Sequence, residues 1–134
     1  MCENLNTPQL QKIFGNITSF GNNVQIGYLK GIDILGITYG TTGIVKFKII
    51  EIKIDNVTFD HIKQTLGYVD WIIEHLSSGN PKFVNGYIVA KSFDSACVDF
   101  VKNHNIINQG RRLHLVKFDY VGPNYRTLNI QKKV

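Results

Sequence analysis

Apolar residues recur along this chain with two rhythms, and the switches between them mark out its elements. Ile62, Leu66, Val69, Ile73 and Leu76 fall three or four residues apart, one face of a helix over Thr58 to Leu76. A second stripe, Gln64, Tyr68, Trp71 and His75, keeps that rhythm two positions later. Gly79, Asn80 and Pro81 stop the helix. Leu10, Ile13 and Phe14 give a shorter helical pattern from Thr7 to about Phe14, with Pro8 suited to the first turn. Asp94 is placed to cap a helix running to about Asn103.

Between the helices the period drops to two. Strands are expected over Val24 to Leu29, Gly31 to Thr38, Ile44 to Ile54, Phe83 to Ala90 and Leu113 to Phe118, with one more from Leu128. Gly21 to Asn23 reads as a turn, and Tyr39 to Gly43 as a hairpin loop. In the long strand, Phe47, Ile49, Glu51 and Lys53 share one side, and Lys46, Lys48, Ile50, Ile52 and Ile54 the other. The order is roughly αβββαβαβ. A strand meander followed by alternating helices and strands implies an α/β (α+β) fold, a mixed central sheet flanked by helices, as one domain over residues 1–134.

Composition narrows this little. No run of about 18 apolar residues is long enough to span a membrane, and Met1 to Leu5 does not begin a secretory signal. Cys2 and Cys97 are too far apart for a zinc motif or a disulfide framework, which suits a reducing, cytoplasmic setting. The net charge of +5 and a pI near 9.3 are compatible with a polyanionic partner.

The chemistry lies where charges interrupt apolar strands. Asp33 stands inside Gly31-Ile-Asp-Ile-Leu35, and Glu51 and Lys53 inside Lys48-Ile-Ile-Glu-Ile-Lys-Ile54. A hairpin between the strands can bring Asp33 beside Glu51, and Lys53 faces the same way as Glu51. Buried charges need partners or a metal. Two carboxylates with the backbone carbonyl of Ile52 make an oxygen-only site for Mg²⁺ or Mn²⁺, and phosphodiester hydrolysis is the reaction such a site suits. Lys53 would orient the attacking water or stabilise charge in the transition state.

This arrangement resembles the PD-(D/E)xK nuclease superfamily, in which an Asp, a hairpin and then Glu/Asp-x-Lys follow in order. Asp33, Glu51 and Lys53 match those positions, and Gln64-Thr-Leu-Gly-Tyr68 matches the Gln-x-x-x-Tyr of RecB-like members. The nearest resemblance is to the catalytic domain of NucS (EndoMS)-type endonucleases. It is carried by Gly31 to Leu35, Glu51 to Lys53, Gln64 to Trp71 and Asn85 to Ala90, over about residues 20 to 120. It implies a restriction-endonuclease-like core, metal binding by Asp33, Glu51 and Ile52, and active-site roles for Gln64 and Tyr68. Two departures stand out. Gly31 occupies a position where that family often has Arg, and residues 7–14 contain no acid where many members have one. The N-terminal dimerisation and base-recognition domain of those proteins has no counterpart in the expected element order.

The expectation is therefore a metal-dependent DNA endonuclease, with RNA left open as substrate and a two-fold homodimer as the arrangement that would supply a second site. The alternative is a non-catalytic nucleic-acid-binding or assembly module on the same fold. Lys30, Lys63, Arg111 and Arg112 are the candidate phosphate contacts. His61, His75, His104 and His114 share no ligand spacing and are expected at the surface or at edges, and Trp71 in packing.

Overall fold

A computed structural model describes residues 8–27, 31–40, 43–54, 56–107, 113–121, 127–132 and 134, with the strand path alone over 119–121 and 127–132. A six-stranded sheet runs through them in simple chain order, β1 (Ser19–Val24), β2 (Ile32–Tyr39), β3 (Val45–Lys53), β4 (Val84–Ala90), β5 (Leu113–Val121) and β6 (Thr127–Lys132). The outer pairs β1–β2, β2–β3 and β5–β6 are antiparallel, while β3–β4 and β4–β5 are parallel. Parallel neighbours need crossovers, and two helices supply them. These are α2 (Phe59–His75), between β3 and β4, and α3 (Ser95–Ile107), between β4 and β5. The short α1 (Pro8–Phe14) precedes β1 and ends at Gly15, whose φ of 75° makes the left-handed C-terminal turn. No described helix is long and apolar enough to cross a membrane.

Alternation in β3 sorts the core into layers. Phe47 and Ile49 face α2 and pack with Tyr68, Val69, Ile72 and Ile73. Ile50 faces α1 and packs with Leu10, Phe14, Ile34 and Tyr87. A third cluster under α3 joins Cys97 and Val101 to Ile88, Ala90, Leu113 and Leu115. Helix α2 lies close on the sheet because β4 carries Gly86 beneath it. A Cβ there would sit 2.8 Å from Val69 Cγ2 and 3.0 Å from Leu113 Cδ1.

The element order matches expectation, and three local expectations do not. Gly21 to Asn23 forms part of β1 rather than a turn, and β1 lies about five residues earlier than the apolar run Val24 to Leu29 suggests. Its residues are mostly exposed, so burial left no alternating imprint on this edge strand. The buried face of α2 is also rotated. Leu76 is exposed, whereas Tyr68 and Thr65 are buried. The apolar stripe overstated Leu76 because the helix ends at His75 and Leu76 is its exposed C-cap. Helix α3 runs on to Ile107, past Asn103.

Candidate active site

Strands β2 and β3 pair regularly from Tyr39↔Val45 to Ile34↔Ile50, and then part. The next register position would set Asp33 against Glu51. There the backbone ladder is replaced by side chains. The Asp33 amide donates to Glu51 Oε1 at 3.1 Å, and the Ile52 amide donates to Asp33 Oδ2 at 2.9 Å. Each carboxylate thus takes one backbone N–H from the opposite strand and keeps its other oxygen for a further partner. On its far side β3 stays paired with β4 as far as Lys53↔Ala90, so the fork opens only towards β2. The N–H and C=O of one strand residue point to the same neighbour. Because the Ile52 N–H points at Asp33, its carbonyl also faces the fork.

Burial makes this an expensive place for charge. Glu51 is only 2% exposed. Desolvation pushes its carboxyl up from 4.5 to about 7, aided by the nearby Asp33 charge and opposed by the Asp33 amide and the Lys53 ammonium. Lys53 Nζ lies 4.0 Å from Glu51 Oε2, and its side chain is more exposed than that of Glu51, so it spans from the carboxylate towards solvent.

Tyr68 closes the site from α2. Its phenol pKa is raised, first by burial and then by the charges of Glu51 and Asp33, which places the hydroxyl within electrostatic reach of both acids. Gln64, half-buried, sits one turn earlier on the same side of α2. The second stripe of that helix therefore does two jobs: Tyr68 covers the fork, and Trp71 packs against the cluster holding Ile26 and Ile32. Trp71 also stacks on His75, with ring centroids 4.2 Å apart, and crowds Gly27, where an added Cβ would lie 3.1 Å from its Nε1.

Asp33, Glu51, Ile52, Lys53 and Tyr68 therefore meet at one place. Lys63 is exposed and leaves α2 about 100° round the helix from Gln64. Lys30, Arg111 and Arg112 lie outside the described residues, as does Cys2. Cys97 is buried, its thiol against the Val57 carbonyl. The histidines have structural partners: His61 Nδ1 accepts the Thr58 amide at the start of α2, and His114 Nδ1 lies 3.2 Å from the Val134 carbonyl. Lys46 and Lys48 are on the face away from Glu51, where Lys48 stands over the Tyr87 ring. One neighbour of the site carried no signal in the sequence pattern. Asn23, expected in a turn, stands across from Asp33 in the β1–β2 register.

The donor set fits a hard divalent cation. It consists of oxygens only, two from carboxylates that each have one oxygen fixed by an amide, with a backbone carbonyl beside them. A cation here would also offset the cost of ionising Glu51. Among the described residues, no group of three or more His, Cys, Asp or Glu side chains is placed to share an ion.

Solved structures contain the same architecture. A repair endonuclease from Pyrococcus abyssi superimposes with a TM-score of 0.56 at 15% identity, over 80% of this chain and 41% of that one. EndoMS, solved with double-stranded DNA, gives 0.51 at 21% identity, over 81% of this chain and 43% of that one. The fold is that of these endonucleases. It is the restriction-endonuclease-like, mixed-sheet fold expected from the sequence, and this chain spans less than half the length of either protein. No family profile matches the chain, and no curated protein does.

Proposed function

We propose that this chain is a metal-dependent DNA endonuclease that hydrolyses phosphodiester bonds at the β2–β3 fork. The observation that carries the reading is the crossed pair of hydrogen bonds there, which holds two carboxylates face to face where the ladder opens. A sheet gains little structurally from giving up ladder bonds to bury Glu51 beside a second, half-buried acid. The shared fold with two endonucleases, one of them solved on double-stranded DNA, supports the same class and substrate.

In this reading Asp33, Glu51 and the Ile52 carbonyl hold Mg²⁺ or Mn²⁺. When bound, the cation supplies a water of lowered pKa and neutralises charge on the phosphate. The remaining work falls to the chain. The Asp33 and Ile52 amides fix the two carboxylates so that they need not reorganise during the reaction. Lys53 holds the attacking water or balances the charge gathering on the phosphate oxygens. Tyr68 and Gln64 roof the site and limit the water that enters. The oxygen of one water bonds to phosphorus as a P–O ester bond breaks, leaving a phosphate on one fragment and a hydroxyl on the other. The net charge of +5 favours a polyanion, and Lys30, Lys63, Arg111 and Arg112 are the candidate backbone contacts. A homodimer would place two such forks on one duplex.

The test is cleavage of labelled single-stranded, duplex, branched and mismatched DNA, with an RNA control, in Mg²⁺, Mn²⁺ or EDTA. Wild type should cut only with metal, and Glu51→Ala and Lys53→Ala should each lose at least about a hundredfold in rate. Metal-independent cutting, or full activity in both variants, would sink the proposal. A wild type that retards DNA in a gel but never cuts it would instead mark a nucleic-acid-binding module on a nuclease fold.

A further inference from the structure

Asn23 has a backbone φ of 50°, in the left-handed region, although it lies inside strand β1. Asparagine is one of the few non-glycine residues that adopt this conformation readily. The pairs on both sides of it, Asn22↔Ile34 and Val24↔Ile32, are intact, while Asn23↔Asp33 is not formed. The cause lies at Asp33. Gly40 donates its amide to the Ile44 carbonyl, so even-numbered residues of β2 bond towards β3 and odd-numbered ones towards β1. Asp33 is odd, and its N–H belongs with Asn23. It turns instead to Glu51 Oε1. Orienting the carboxylates and breaking the Asn23 pair are thus one event.

Asparagine suits that backbone, and the amide it brings to this position is a separate feature. Glycine would adopt a φ of 50° without strain, and the chain already uses glycine beside it: a Cβ on Gly31 would lie 3.4 Å from the Asn23 carbonyl. Yet position 23 carries an exposed amide. The register sets Asn23, Asp33 and Glu51 in one row on three adjacent strands, about 10 Å from end to end. The two acids form a donor set that no third His, Cys, Asp or Glu completes among the described residues. Divalent cations of this class take six or more oxygens, and asparagine carbonyls are among their usual ligands.

We propose that Asn23 is a further ligand of the divalent cation at the fork, its side-chain oxygen binding the ion directly or through a bound water. The inference rests on the cation of the proposed function, but not on catalysis.

Mn²⁺ binding to the whole chain, measured by calorimetry and by electron paramagnetic resonance without substrate, tests it. Asn23→Gly keeps the backbone conformation and removes the oxygen, and Asn23→Asp restores an oxygen at the same reach. The expected result is an affinity for Mn²⁺ about tenfold or more weaker in Asn23→Gly, with a thermal midpoint no lower than wild type. Asn23→Asp should bind at least as tightly as wild type. Unchanged affinity in Asn23→Gly, or an equal loss in Asn23→Asp, would overturn the inference while leaving the cation site standing. A wild type that binds no Mn²⁺, or binds it equally well after Glu51→Gln, would remove the site itself and both proposals with it.

Discussion

The two ends of the β2–β3 ladder are built from the same strands and differ in nearly everything else. At the closed end, from Ile34↔Ile50 to Tyr39↔Val45, backbone groups satisfy one another and Ile49 and Phe47 pack into the layer beneath α2. At the open end the same strands carry Asp33 and Glu51, and their amides bond carboxylates instead of carbonyls. The closed end stabilises by burial. The open end holds an acid whose ionisation costs stability.

The comparison breaks if the closed end does not carry the stability. Ile49 is fully buried, so Ile49→Ala should lower unfolding free energy by about 3–4 kcal/mol in urea denaturation. A loss below about 1 kcal/mol would mean that this layer is loosely packed and that the ends differ less than claimed.

A smaller effect sharpens the open end. With its pKa raised from 4.5 to about 7, Glu51 favours the protonated form in the folded state. Stability from this group is complete below about pH 4.5, falls as pH rises through 7 and levels off above it. Metal-free Glu51→Gln, which still offers an oxygen to the Asp33 amide, should gain on the order of 2–3 kcal/mol over wild type at pH 8.5 and little at pH 4.5. Equal differences at both pH values in thermal melts would show that Glu51 is not held protonated. Adding Mn²⁺ should raise the wild-type melting temperature and not that of the variant.

The smallest effect is a control. Lys46 is exposed on the face of β3 away from Glu51. Lys46→Ala should change stability by no more than about 0.5 kcal/mol and leave cleavage unaltered. A large loss of cleavage would move the functional surface to the other side of the sheet.

Much of this was legible in the chain. Patterning located α2, β3 and β4 to within a residue or two: α2 by its apolar stripe, β3 by alternation and the buried β4 by a short apolar run. The candidate site was legible for a related reason: Asp33, Glu51 and Lys53 are charges in strands that otherwise favour Ile and Val. The edge strand β1 was misplaced because neither of its faces is buried enough to leave a pattern. The resemblance assigns Tyr68 to the site, and the packing of α2 over Gly86 accounts for its burial.

The sequence by itself determined the element order, the two faces of β3 and the three charged residues of the candidate site. Tertiary structure alone decided that the ladder opens between Ile34 and Asp33, that the Asp33 amide leaves Asn23 for Glu51, and that desolvation lifts the Glu51 carboxyl towards neutrality. The physical reason is one of range. Periodicity records whether a residue meets core or solvent, while hydrogen-bond exchange and desolvation depend on neighbours 18 residues away along the chain, which no local pattern encodes.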